Sequence, residues 1–137
     1  MIERNIVLSE TELRIRRYII NAIHNGKVKG ISYTAINEDL DLGLNFANRS
    51  DGAKIGKWLG HVSTYEFEHN RPILSVMIMY QQANLTHGEG FYDLLEELTG
   101  VDKNVYMSDI RRVNRLVDDC THYWINSENY TAHAHLE

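Results

Sequence analysis

The chain has 137 residues, 43% hydrophobic and 24% charged, with one proline and one cysteine. This length can bury the core of one domain, and the lone Cys120 excludes an internal disulfide or a cysteine-built zinc site. No apolar run approaches the roughly 20 residues that span a bilayer, and the opening MIERNIVLSE lacks the basic-then-apolar order of a secretory signal. A cytoplasmic protein with no membrane partner is expected. The net charge of −5 is uneven: residues 1–80 carry ten Lys/Arg against nine Asp/Glu, and residues 81–137 four against ten. A nucleic-acid clamp over the whole surface is excluded on that balance, whereas a local basic patch in the first part is not.

The first helix is signed by Ser9 and Glu12 at capping-box spacing, with Leu8 and Leu13 placed to form a hydrophobic staple. Ile15, Ile19, Ala22 and Ile23 line one face, Arg14, Arg16 and Arg17 are read as solvated, and Gly26 ends the helix. Lys27 to Gly30 is a basic connection. Ser32 caps a short helix over Tyr33–Leu40, and Asp41–Gly52 reads as a loop, with Ser50 or Asp51 as the next cap. In the third helix Ile55, Trp58, Leu59, Val62 and Tyr65 form one apolar face. Gly56 and Gly60 weaken that helix, and their spacing predicts close packing by another backbone. The helix ends near His69-Asn70, before Pro72.

Ile73 to Tyr80 is apolar except for Ser75, and its β-branched content and length predict an internal strand with Pro72 at its start. Ile2–Leu8 and Ile31–Tyr33 are the candidates to pair with it. His87-Gly88-Glu89-Gly90 reads as a tight turn, and Phe91, Leu94, Leu95 and Leu98 as a helix closed by Gly100. Tyr106, Ile110, Val113, Val117, Cys120 and Trp124 alternate steps of four and three, predicting one final helix with a narrow apolar stripe. Packing inside the protein is the preferred use of that stripe. A homodimer seam through Tyr106, Ile110, Val113, Val117 and Trp124 is the other.

Three helices followed by a strand is the order of a winged-helix module. The expected fold is therefore α+β: a single domain over residues 1–126, with a winged-helix-like helical unit, a small β-sheet and C-terminal helices, then a flexible tail over 127–137. Two resemblances bear on this. LGHVS at Leu59–Ser63, RPILS at Arg71–Ser75 and HGEGFYDL at His87–Leu94 resemble a group of small uncharacterised bacterial and phage proteins; His87 stands where that group often has proline. That group brings no assigned activity. Tyr33–Ile36, Lys54–Gly60, Pro72–Leu74 and Gly88–Leu95 follow the order seen in the DNA-binding domain of O6-alkylguanine alkyltransferases. This second resemblance implies a DNA-binding fold, but the family's reactive Pro-Cys-His-Arg has no counterpart in Ser75-Val76-Met77-Ile78, which rules out alkyl transfer on this strand.

Several residues carry chemistry. His61, Glu68 and His69 share one helix side at seven- and eight-residue intervals, but helical metal sites favour three- or four-residue spacing, so a solvated charged face is preferred and no metal is expected. Ser75 as a nucleophile would need His61, His69 or His87 as base and Glu89 as orienting group; no nucleophile-elbow pattern surrounds it. Gly88-Glu89-Gly90 ahead of a helix could present backbone N–H groups to an anion, with Arg71 pairing with the same anion, but a turn with Arg71 and Glu89 paired structurally is the preferred reading.

The functional expectation is a non-enzymatic binding module for nucleic acid or a nucleotide-like ligand, without a cofactor. Tyr33, Arg71, Ser75, Glu89 and Phe91 form the expected ligand pocket. Lys27, Lys29, Arg49, Lys54 and Lys57 form the expected nucleic-acid surface, with Lys54 and Lys57 early in a recognition helix. A phage-type inhibitor of a host protein, using the acidic C-terminal part, is the alternative, and a hydrolase built on Ser75 or a His/Glu site comes last.

Overall fold

The computed structural model describes residues 7–26, 31–79 and 89–135. It is mostly helical. In chain order the elements are α1 (Glu10–His24), β1 (Ile31–Ser32), α2 (Tyr33–Asp39), α3 (Arg49–Glu68), a 3-10 turn (Leu74–Met77), β2 (Ile78–Met79), α4 (Glu89–Thr99), α5 (Lys103–Met107), α6 (Ile110–Ile125) and α7 (Ser127–His133).

The starts and stops of the helices are set by local chemistry. The capping box of α1 is complete: Glu12 N–H donates to Ser9 Oγ (3.2 Å) and Ser9 N–H to Glu12 Oε1 (2.8 Å). Ala35 N–H donates to Ser32 Oγ (3.0 Å) at the start of α2. In α3 the cap is Asn48, which accepts from Ser50 N–H (3.0 Å), so the helix begins ahead of the Ser50 and Asp51 caps read from the sequence. Gly26 and Gly100 take positive φ after α1 and α4, the conformation that glycine adopts without strain.

The centre of the protein is α1, which packs against α3, α6 and the 3-10 turn. Its Ile15, Ile19, Ile20 and Ile23 are wholly buried, together with Ile55, Leu59 and Val62 of α3, Leu74–Ile78, Leu95 of α4, and Val113, Cys120 and Trp124 of α6. Several expectations fail here. Residues 74–77 are not strand but a tight turn, although apolar side chains on both sides are buried as expected. Burial on every side removes the periodicity that separates a strand from a wound segment, and here the Ser75 amide donates to Ser63 Oγ (3.0 Å) rather than to a neighbouring strand. Only Ile78–Met79 is extended, paired in parallel with Ile31–Ser32. Among the described residues there is no antiparallel wing and no larger sheet, so the winged-helix-like α+β fold is replaced by a helical domain with one minimal strand pair.

The long C-terminal stripe is also divided. Asp109 accepts from Arg111 N–H (3.1 Å) and starts α6 anew, leaving Tyr106 in α5 and Ile110 62% exposed. Val113, Cys120 and Trp124 face the core, with Val117 half-buried beside them. The segment expected to be a flexible tail instead forms α7, capped by Asn126. It is held by Tyr130 Oη donating to Asn21 Oδ1 (2.6 Å), by stacking of His24 on Tyr130 (3.8 Å), and by the buried Ala134.

Arg16 also departs from expectation. It is 1% exposed rather than solvated. Its Nε donates to Glu66 Oε2 (2.7 Å), and its terminal nitrogens reach Glu66 Oε1 (3.3 Å) and the carbonyls of His133 (2.8 Å) and Ala134 (3.2 Å). Arg71 grips the other side of the same carboxylate, Nε to Oε1 at 2.8 Å. The local turn makes this possible: Asn70 takes φ 59° and Arg71 N–H donates back to Glu66 O (2.9 Å). Tyr65 lies under both guanidinium groups and Trp124 under that of Arg16. Removing Glu66 would strand two buried cations. Glu66→Ala is expected to cost about 3–5 kcal/mol in urea denaturation; a loss below ~1 kcal/mol would show that the triad is not a stabilising centre.

Candidate ligand-binding groove

Helix α3 presents three sides. At about 100° per residue, Ile55, Leu59, Val62 and Glu66 share the side turned to the core. Gly52, Gly56 and Gly60, four residues apart, form a second side. A Cβ added at any of the three would meet no atom within 4 Å. No backbone among the described residues packs there, contrary to the expectation for Gly56 and Gly60. The glycines instead form one bank of a groove of about 340 Å³.

Its other lining comes from elements distant in sequence. Tyr33 enters from the start of α2, Ser75 and Ile78 from the turn and β2, and Gly90, Phe91 and Leu94 from the first turns of α4. The surface is mostly apolar and aromatic, with one polar exception. Ser75 is 8% exposed, and its Oγ has no hydrogen-bond partner among the described residues. A buried hydroxyl left without a hydrogen bond costs on the order of 1–3 kcal/mol, and here it belongs to a residue that lines the groove.

Of the expected ligand residues, Tyr33, Ser75 and Phe91 come together in this groove. Arg71 does not: it is committed to Glu66, and the expected Arg71–Glu89 pair involves a Glu89 side chain that lies outside the described residues. Burial alone would lower the Arg71 pKa, but the hydrogen bond and charge of Glu66 raise it. Glu89 opens α4, and its side chain lies outside the described residues, as do His87 and Gly88. The other seven lining residues, the glycines at 52, 56, 60 and 90 with Leu59, Ile78 and Leu94, were not foreseen in that role; the four-residue spacing of the α3 glycines was the signal that could have found three of them.

On the third side of α3, Lys54, Lys57, Trp58 and His61 border an open depression of about 630 Å³ with Val7, Leu8, Ser9 and Glu12. His61 Nδ1 is 2.6 Å from Glu12 Oε2. Arg49, Lys54 and Lys57 are all exposed on α3, and none forms an ion pair among the described residues. Lys27 and Lys29, the remaining expected nucleic-acid contacts, lie outside the described residues. His69 Nδ1 sits against Tyr65 O (2.8 Å), and no group of three His, Cys, Asp or Glu among the described residues is placed to hold a metal ion. Ser75 and His61 line different depressions, so they do not form a nucleophile–base pair. No described helix is long and apolar enough to cross a membrane.

No family model matches the chain, and no curated protein or solved structure matches it either.

Two measurements probe these surroundings. Gly56→Ala fills open space on an exposed helix side and should raise stability by roughly 0.8–1.0 kcal/mol from helix propensity; a loss in thermal or urea denaturation would mean that the glycine side is closely covered. Cys120 is wholly buried, and burial, reinforced by the charges of Glu66 and Asp119, pushes its thiol pKa far above the ordinary value. It should resist a disulfide reagent at pH 8 in the native protein and react in denaturant. Rapid native labelling would contradict its place in the core.

Proposed function

We propose that this protein is a non-enzymatic binding module that holds a nucleotide-like ligand in the glycine-bordered groove along α3. The observation that carries this reading is the Ser75 hydroxyl, buried and without a hydrogen-bond partner among the described residues, beside a groove open enough to admit a ligand. A volume of about 340 Å³ is at the lower end of small-molecule sites. The bare backbone of Gly52, Gly56 and Gly60 allows a flat ring to approach α3 closely, Tyr33 and Phe91 offer aromatic contact, and Ser75 offers a directional hydrogen bond. Arg49, at the start of the same helix, is an exposed cation that could meet the phosphate of such a ligand.

Nucleic acid is the polymeric form of the same ligand chemistry. Arg49, Lys54 and Lys57, exposed on α3 and without an ion pair among the described residues, favour it. Titration calorimetry against nucleoside mono-, di- and triphosphates tests the groove. Gly56→Leu, which puts a branched side chain into it, should weaken binding at least ~10-fold, or about 1.4 kcal/mol. Ser75→Ala should weaken it less. Equal binding by Gly56→Leu would move the ligand elsewhere, and absence of nucleotide binding at millimolar concentration would put a protein partner ahead.

A further inference from the structure

The depression on the third side of α3 has a composition unlike that of the groove. Lys54, Lys57, Trp58 and His61 fall within an arc of about 100° on the helix, away from the glycine side. Two ammonium groups, one imidazole and one indole therefore border a single depression. Trp58 is half-buried, its body packed against the core. His61 is fixed in orientation. Its Nδ1 lies 2.6 Å from Glu12 Oε2, and the other carboxylate oxygen accepts Ser9 N–H at 2.8 Å. The Glu12 side chain is 6% exposed whereas that of His61 is 41% exposed, so the carboxylate is turned inward and the imidazole outward. With Nδ1 engaged, Nε2 is the ring atom left for a ligand, and it has no hydrogen-bond partner among the described residues.

We propose that this depression is a binding site for single-stranded nucleic acid, in which Lys54, Lys57 and His61 hold phosphate groups and Trp58 stacks a base. Cations alone would suit any polyanion. A tryptophan between them adds a flat apolar surface that suits an unpaired base and is of no use to a duplex, whose bases are already stacked. Glu12 also borders the depression and acts as a positioning residue: its side chain is 6% exposed, with one carboxylate oxygen against His61 Nδ1 and the other accepting Ser9 N–H. This inference rests on the nucleic-acid form of the function proposed above and adds to it the strand state, Trp58 and His61.

The intrinsic fluorescence of the full chain reads the site, because Trp124 is wholly buried and Trp58 is the other tryptophan. Titration with oligothymidylate of about ten nucleotides at low salt should quench the emission, and a duplex of equal length should bind more weakly. Lys54→Glu with Lys57→Glu, both exposed, should lower affinity at least tenfold and reduce the slope of log affinity against log salt by about 1.4. Trp58→Leu should weaken strand binding measured by anisotropy of a labelled strand, and His61→Gln should do so severalfold. Circular dichroism of each variant checks that the fold is kept. Loss of binding in the lysine variant with none in Trp58→Leu or His61→Gln, or a preference for duplex, overturns this inference while leaving nucleic-acid binding in place. Loss in Gly56→Leu but not in the lysine variant would locate the strand in the groove, again overturning it. No binding of either strand form would remove both the inference and the nucleic-acid reading on which it rests.

Discussion

The buried carboxylate of Glu66, held between Arg16 and Arg71, is the constraint on which the rest of the structure depends. Three charges withdrawn from water are expensive, and their attraction offsets that cost only with good geometry and further hydrogen bonds. Both conditions are met: each arginine donates twice to the carboxylate, and Arg16 also holds two carbonyls at the end of α7. The triad thereby joins α1, α3, the segment after α3 and the C-terminal helix at one point. Glu66 is the part that cannot be replaced locally, because both guanidinium groups depend on it.

This anchoring has a consequence for the groove. Arg71 is drawn back onto Glu66 by the turn at Asn70, and the chain then enters the core at Leu74. That entry point places Ser75 beside Ser63 and brings Ile78 into register with Ile31. The wall of the groove formed by Ser75 and Ile78 is thus set by an ionic contact that does not itself touch the groove. Arg71 shapes the site indirectly, through the backbone, and not by meeting a ligand.

Helix α3 divides its surface among three tasks. One side closes the core, one borders the groove with glycine, and one presents lysine, histidine and tryptophan to the open depression. The glycines weaken the helix by up to roughly 1 kcal/mol each relative to alanine, and no described residue packs on them in return.

Much of the local structure was determined by the sequence itself. Ser9 with Glu12, Ser32, Gly26 and Gly100 mark helix ends through hydrogen bonds and backbone preferences that span a few residues, and the apolar faces of α1 and α3 follow from helical spacing. Tyr33, Ser75 and Phe91 were expected to lie together and do line one groove, although the strand and turn from which that was argued were not the elements that bring them there. The partners of charges were not. Arg16 lies fifty positions from Glu66, and nothing in its neighbourhood distinguishes it from the exposed Arg14 and Arg17. Whether residues 74–77 would be strand or turn, whether α5 and α6 would be one helix, and whether the polar C-terminal segment would dock were likewise decided by tertiary contacts. Each choice depends on which distant group satisfies a buried amide, carbonyl or cation, and such groups are brought together only when the chain has folded.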